Sequence, residues 1–167
     1  MRFENAKGAP AIARKVISDK PIPWSPLPDP FTLAGDEGWS DYRIVADVRF
    51  ESEAPAVVMG RIDSSNVFRD EKALLPSGYA LRVKPDGAWE ILSTQYKKPT
   101  VTLASGSVAI GRNQWHQMAL SVHGKQISAS LDGKSLATVE CSAHAHGMFA
   151  LGTEWDHIQF DNLSVTP

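Results

Sequence analysis

Two strings near the C-terminus hold the side chains with the clearest potential for chemistry. Hydrolysis of a glycosidic bond requires two positioned carboxyl groups, one protonated and one ionised. The nearest pattern is Glu154-Trp155-Asp156-His157-Ile158-Gln159, in which an amide stands where a second glutamate is needed. Because the carboxylate pair is incomplete, the string indicates a polar surface loop ahead of the last strand rather than an active site.

The second string is His144-Ala145-His146. Alternate residues of a strand project to one face, so two histidines at this spacing could begin a metal site. A third ligand would have to come from His157 or Asp156, and solvated loop histidines are the favoured alternative. No Ser/His/Asp or Cys/His spacing indicates a nucleophile, and the single cysteine, Cys141, cannot form an intrachain disulfide.

Two aspartates are further candidates for metal ligands, because one lies in a turn and the other interrupts the final strand. Asp36 lies in the turn Gly35-Asp36-Glu37-Gly38-Trp39, and Asp161 lies in Phe160-Asp161-Asn162-Leu163-Ser164-Val165. A carboxylate in such a place either accepts hydrogen bonds from nearby backbone N–H groups or coordinates Ca²⁺ together with carbonyl oxygens. Both interpretations stay open, and the calcium interpretation is stronger for Asp161.

The tryptophans divide into core and surface candidates. Trp39, Trp89 and Trp115 lie at strand entries or within strands and are predicted to be buried. Trp155 lies in a loop, where an exposed indole could stack on the apolar face of a sugar ring. Burial of Trp155 at one end of the fold is the alternative.

The elements that must position these residues are β-strands. A period of two places apolar residues on one face and polar residues on the other, which is typical of half-buried strands. The pattern occurs at Tyr42–Phe50, Tyr79–Val83, Met118–Val122 and Ile127–Leu131.

The turns between these strands have hairpin chemistry. Lys84-Pro85-Asp86-Gly87, Gly124-Lys125 and Asp132-Gly133 each join two predicted strands, and Asp-Gly suits the positive φ angles of a type I′ turn. About ten short strands with such turns predict an all-β, two-sheet sandwich. We expect a single domain over residues 1–167, with a proline-rich segment at 20–31 that is extended and either crosses between the sheets or follows an edge.

The composition limits the kinds of molecule that this chain is expected to bind. The net charge is −2 and the basic residues are scattered, so no stripe of Lys and Arg is available for nucleic acid. No apolar run approaches the roughly 18 residues of a membrane span, and the N-terminus shows no apolar core of a signal peptide.

Several stretches, in the same order, resemble the C-terminal lectin-like domain of the galactocerebrosidase family, the family 59 glycoside hydrolases. They cover roughly residues 12–165, and the last is the most specific. The stretches are Arg14-Lys15-Val16, Lys20-Pro21-Ile22-Pro23-Trp24, Gly35–Tyr42, Gly60-Arg61-Ile62, Trp115–Leu120, Gly147–Thr153 and Gln159-Phe160-Asp161-Asn162-Leu163.

This resemblance implies a jelly-roll, concanavalin A-like domain without catalytic residues of its own. In the family, a TIM barrel carries the two catalytic glutamates, and the lectin-like domain packs against it and lends a loop to the substrate cleft. The implied partners are that barrel and a glycan or glycolipid head group, and the parent would be secreted or lysosomal. A free-standing binding module of the laminin-G or concanavalin A-like type is the alternative.

The family's lectin-like domain also holds a calcium ion. The resemblance implies that the Asp161 side chain and the backbone carbonyl of Ala11 are ligands. The family's other ligands lie on a strand upstream of the region that matches Met1, so this chain is expected to supply three protein ligands or fewer.

Overall fold

The computed structural model describes residues 14–15, 31–63, 75–153 and 156–167. Twelve strands occur in these ranges, and we number them in chain order. They are β1 (Arg14–Lys15), β2 (Phe31–Ala34), β3 (Tyr42–Phe50), β4 (Ala56–Ile62), β5 (Gly78–Val83), β6 (Ala88–Thr94), β7 (Val101–Ser107), β8 (Trp115–His123), β9 (Gln126–Leu131), β10 (Lys134–Glu140), β11 (Met148–Thr153) and β12 (Ile158–Thr166).

The strands form two six-stranded sheets in which each strand pairs antiparallel with its neighbours. Sheet A has the order β1-β12-β3-β8-β9-β10, and sheet B has the order β2-β11-β4-β5-β6-β7. β11 and β12 follow each other in sequence but belong to different sheets, so the chain crosses between the sheets there. The predicted two-sheet sandwich is confirmed.

The core lies between the sheets and follows the alternation seen in the sequence. On β3 the inward residues are 0–2% exposed, whereas Arg43 between them is exposed. They pack in one cluster with inward residues of both sheets, among them Leu81 and Ile91 of sheet B and Leu120 of sheet A. Full burial of one such aliphatic side chain stabilises the fold by about 1.5–3 kcal/mol.

The predicted hairpins are present. β9 and β10 are joined by Asp132 and Gly133, whose φ angles of 52° and 76° are both positive, as a type I′ turn requires. Gly87, with a φ of 87°, precedes β6, and Gly124, with a φ of 54°, separates β8 from β9. The Asp-Gly and Pro-Asp-Gly sequences therefore mark the ends of real strands.

The proline-rich segment lies outside the described residues, except for Phe31 at the start of β2.

Of the three tryptophans predicted to be buried, Trp89 is 7% exposed and Trp115 is half-buried. The prediction for Trp39 is wrong, because its side chain is 41% exposed. Trp39 precedes β3 in a turn at the end of the sandwich, where only part of its ring can pack against the core.

Candidate functional site

Trp155, Ala11 and Asp161 are the residues that the sequence favours most as sugar or metal contacts. Trp155 and Ala11 lie outside the described residues. Asp161 lies in β12 on the outer face of sheet A, because its neighbour Phe160 is 3% exposed and packs in the core. The structure therefore gives a geometry for Asp161 alone.

Asp161 is a buried carboxylate beside a β-bulge. It is 3% exposed and lies opposite Asp47 in the β12–β3 pairing, whose register shifts between Asp161 and Ser164. Asn162 has a φ of 49°, and its backbone N–H donates to Asp161 Oδ1 at 2.8 Å. Bulges of this kind redirect side chains and are common next to functional sites.

Asn162 links the two aspartates, through its backbone N–H to Asp161 and through its side chain to Asp47. Its Nδ2 donates to Asp47 Oδ2 at 2.7 Å, and Gln117 Nε2 lies 3.4 Å from Asp47 Oδ1. Two carboxylates with amide neighbours offer the hard oxygen donors that Ca²⁺ prefers. Within the described ranges, no cluster of three or more His, Cys, Asp or Glu side chains is arranged to hold a metal ion. Any calcium here would need further oxygen ligands from backbone carbonyls or water.

The remaining metal candidates have local partners. Asp36 Oδ1 accepts a hydrogen bond of 2.7 Å from the backbone N–H of Gly38, so this carboxylate stabilises its own turn. His146 Nδ1 lies 2.7 Å from the carbonyl oxygen of Glu37, whereas His144 Nε2 lies 3.4 Å from Ser93 Oγ. The two histidines thus contact different parts of the molecule.

His144 is half-buried rather than solvated. Its ring packs edge-on against Tyr79, with 4.9 Å between the ring centroids, and its backbone N–H donates to the Tyr79 hydroxyl at 3.1 Å. Burial lowers the pKa of His144 below its ordinary value of 6.5, since the charged ring loses water there.

A buried arginine is the most connected polar group among the described side chains. Arg61 is 2% exposed and has a φ of 50°, at a register shift where β4 pairs with β11. Its guanidinium donates to the carbonyls of Ser40 at 2.7 Å, Gly124 at 2.7 Å and His144 at 3.0 Å. It also pairs with Asp41 Oδ1 at 3.0 Å. One side chain therefore ties together four separate segments.

Asp41 and Tyr42 complete this network. Asp41 Oδ1 also accepts the backbone N–H of Gly124 at 2.8 Å, and this hydrogen bond, with the charge of Arg61, lowers the pKa of Asp41. The Tyr42 hydroxyl accepts the Arg61 backbone N–H and lies 2.9 Å from the carbonyl of Gly147. Burial raises the pKa of Tyr42, so its hydroxyl stays protonated and donates.

Sequence reasoning placed Arg61 within a matched stretch but did not predict its role. The signal was present, because Arg61 is the one charged residue in the apolar run Ala56-Val57-Val58-Met59-Gly60-Arg61-Ile62. A charge inside such a strand must be paired and hydrogen-bonded. Its partners Ser40, Gly124 and His144 are distant in sequence and could not be identified that way.

The Arg61 network borders a groove at the same end of the sandwich. The groove has a volume of about 410 Å³ and is lined by Gly38, Trp39, Ser40, Asp41, Tyr42, Val165, Thr166 and Pro167. Trp39 is an exposed aromatic side chain, and the Asp41 carboxylate is 54% exposed. An aromatic surface beside a fixed acceptor is an arrangement suited to a small polar ligand with an apolar face.

Comparison with solved structures defines the class of the fold. The carbohydrate-binding module CBM66 from Bacillus subtilis superposes with a TM-score of 0.69 at 18% identity, over 84% of this chain and 83% of that one. Sheep galectin-11 gives a TM-score of 0.58 at 7% identity, over 83% and 98% of the two chains. Domains LG4-5 of the mouse laminin α1 chain give 0.53 at 16% identity, over 84% and 40%. The fold is therefore that of the concanavalin A-like lectins, as predicted.

Comparison of sequences identifies the family. The galactocerebrosidase C-terminal lectin domain matches residues 2–167, so the chain belongs to this family. Galactocerebrosidase of Danio rerio is 28% identical over 160 residues, which are 91% of this chain and 23% of that protein. The Homo sapiens enzyme is 24% identical over 157 residues, which are 91% and 22% of the two chains. The resemblance drawn from the residues is confirmed.

The chain spans less than a quarter of the length of these curated relatives. The matched family is the lectin domain of glycoside hydrolases rather than their catalytic part. In the ranges that the structure describes, no helix is long and apolar enough to cross a bilayer.

Proposed function

We propose that this chain is the non-catalytic, carbohydrate-associated domain of a galactocerebrosidase-like β-galactosidase. Its role is to help shape the substrate cleft beside a catalytic TIM barrel and to bind a glycan or a glycolipid head group. The observation that supports this most is the match over residues 2–167 to one domain of relatives, of which the aligned part is less than a quarter.

The chemistry of the described residues supports a binding role. Glycoside hydrolysis needs two carboxyl groups facing each other across a bond, and Asp156 Oδ1 instead accepts the N–H of His157 at 2.8 Å. The network around Arg61 consists of hydrogen bonds to backbone carbonyls, which hold loops in place. On this proposal the catalytic carboxylates come from the barrel of the parent protein.

The test of the proposed function has two parts. An open reading frame for a TIM barrel joined to this chain, and binding of the purified chain to galactosyl glycans on an array, are expected. Hydrolysis of a galactoside by the purified chain alone, lost in a Glu154→Gln variant, would refute the non-catalytic assignment.

A free-standing binding module is the second candidate. The carbohydrate-binding module CBM66 has this fold over most of its length, which shows that the sandwich can exist as a recognition unit. A short complete gene with no barrel beside it, together with glycan binding by the chain, would favour this candidate over the first.

We also propose that Asp161 is a side-chain ligand of a structural calcium ion, with the carbonyl of Ala11 as a second ligand. The burial of Asp161 and the position of Asp47 opposite it support the proposal, because carboxylate oxygens are ligands that Ca²⁺ prefers. The hydrogen bond from the Asn162 N–H to Asp161 Oδ1 supports the competing view, in which local donors stabilise the carboxylate.

Calcium binding predicts a change in thermal stability. A ligand that binds only the folded state raises the melting temperature, and the increase grows with the ratio of free ligand concentration to the Kd. Added Ca²⁺ should raise the melting temperature and EGTA should lower it, and the difference should vanish in Asp161→Asn. Asp36→Asn, in an exposed turn, is the matched control and should keep the full response. A wild-type melting temperature that is insensitive to both reagents would exclude the site.

A further inference from the structure

The exposed ring of Trp39 is held rigidly at the groove. Its backbone N–H donates to the carbonyl of Asp36 at 3.2 Å, and its carbonyl accepts the N–H of Gly147 at 2.9 Å. The indole stacks parallel to Phe149, with 6.4 Å between centroids and 4° between planes. It also meets Tyr42 edge-on, with 5.9 Å between centroids.

Gly35 lets the ring pack this closely on one side. A Cβ atom at Gly35 would lie 2.9 Å from Trp39 Cζ3 and 3.2 Å from Phe149 Cδ1, distances at which carbon atoms clash. One side of the indole therefore packs on Gly35 and Phe149, yet Trp39 as a whole residue remains 41% exposed. An anchored aromatic ring that keeps part of its surface in water can stack on the apolar face of a ligand.

The polar part of the groove is equally fixed. Oδ1 of Asp41 is held by the backbone N–H of Gly124 and by the Arg61 guanidinium, at 2.8 and 3.0 Å. The same carboxylate lines the groove together with Ser40 and the exposed Thr166. A negative acceptor flanked by two hydroxyl-bearing side chains favours a neutral ligand rich in hydroxyl groups and disfavours an anionic one.

We propose that this groove is a subsite for one neutral pyranose residue, whose C–H face stacks on Trp39 and whose hydroxyl groups donate to Asp41. The volume of about 410 Å³ falls within the range of small-molecule sites. The inference rests on the proposed carbohydrate-associated function, and it adds the place of binding and the chemical class of the sugar.

The test is an NMR titration of the indole N–H signals of the ¹⁵N-labelled chain with methyl β-galactopyranoside and methyl β-glucopyranoside. The Trp39 signal, identified by its loss in Trp39→Phe, should shift with one of these sugars, and the Trp115 signal should not. Trp115 is the matched control because it begins β8 at the opposite end of the sandwich, paired with Arg49. Trp39→Ala should weaken binding by about tenfold or more, and Trp115→Phe should leave it unchanged.

A second variant separates loss of binding from loss of folding. Thr166→Phe fills the groove from the end of β12 and leaves Trp39 in place, so it should abolish the shift while the melting temperature is retained. Sugar binding that leaves the Trp39 signal unmoved, or that survives both variants, overturns this subsite but leaves the proposed function standing. Failure of the chain to bind any galactosyl glycan on the array or either methyl glycoside overturns the glycan-binding function itself.

Discussion

At the scale of single residues, the dominant feature is a buried charge whose ionic partner is exposed to solvent. Arg61 is enclosed, whereas its partner Asp41 is 54% exposed, so backbone carbonyls carry most of the compensation. A planar guanidinium can meet several carbonyls at fixed angles, which an ammonium group cannot do. The residue therefore acts as a clamp between loops that the strands alone would leave unconnected.

Replacement of Arg61 by lysine should destabilise the fold. Lysine keeps the charge but cannot donate to all three carbonyls of Ser40, Gly124 and His144, and each lost hydrogen bond to a charged group costs about 1.5–3 kcal/mol. We expect a loss of at least ~2 kcal/mol in the free energy of unfolding, measured by urea denaturation. Arg43→Lys, on the exposed face of β3, is the control and should change it by less than ~0.5 kcal/mol. Equal effects of the two changes would contradict the clamp.

His144 should make stability depend on pH. Its folded pKa lies below the ordinary value of 6.5, so between the two values the unfolded state binds more protons than the folded state. Stability is therefore fully present above about pH 6.5 and is lost as the pH falls through the folded pKa. Urea denaturation at a series of pH values should show a shallower loss for His144→Gln than for the wild type. Parallel curves for the two proteins would show that burial of His144 is not the cause.

The residues that sequence reasoning placed well are those whose partners are near in sequence. The turn at Asp132-Gly133 requires positive φ angles, and aspartate followed by glycine is a sequence that favours them. Trp39 was assigned to the core because aromatic residues at strand entries are usually buried, and its exposure depends on how Phe149 and Gly35 meet it. Contacts between residues that are over a hundred positions apart leave no local pattern.

At the scale of strands and turns, two sequence features predicted most of the structure. They are the alternation of apolar and polar residues and the residue types found in the turns. β3, β5, β8 and β9 were predicted because their apolar residues recur with a period of two. In β3 and β9 this pattern matches burial of one face, whereas β5 is buried on both faces. β7 shows no such alternation, since its exposures are mixed along an edge of sheet B. The hairpin turns predicted the pairings β5–β6, β8–β9 and β9–β10. The pairings of β12 with β3 and of β11 with β4 join distant parts of the chain and left no local pattern.

The assignment of the β9–β10 turn can be tested directly by substitution of Asp132. Asp132 has a φ of 52°, its N–H donates to the Gln117 carbonyl at 2.9 Å, and its carboxylate accepts from the N–H of Gln117 and contacts His116 Nδ1 at 2.7 Å. Asp132→Pro removes the N–H and forbids the positive φ, so it should lower the free energy of unfolding by more than ~1 kcal/mol.

The matched control for this hairpin is Asp132→Asn. Asparagine accepts positive φ and keeps the backbone N–H, but its amide has one acceptor oxygen, so this variant loses either the hydrogen bond from the Gln117 N–H or the contact with His116. Its thermal melting temperature should lie between those of the wild type and Asp132→Pro. A proline variant as stable as the wild type would contradict the type I′ turn.

At the scale of the whole molecule, the fold was predictable and the site was only partly so. Strand periodicity and hairpin turns specify a sandwich in almost any loop context, and the ordered family stretches specify which sandwich. The groove at Trp39 depends on three segments meeting at one end, namely the turn before β3, the end of β12 and the clamp from Arg61. No one of these segments has a sequence pattern that indicates binding.

The position of the last strand has a consequence for biosynthesis. β12 lies inside sheet A, between β1 and β3, and pairs with β3 over most of its length. During translation, more than one hundred residues must therefore be added after β3 before its partner β12 leaves the ribosome. Such long-range pairing is slow and leaves hydrogen-bonding edges open in the interval. Nascent chains that stop before residue 158 should consequently depend on chaperones, however well sheet B has already formed.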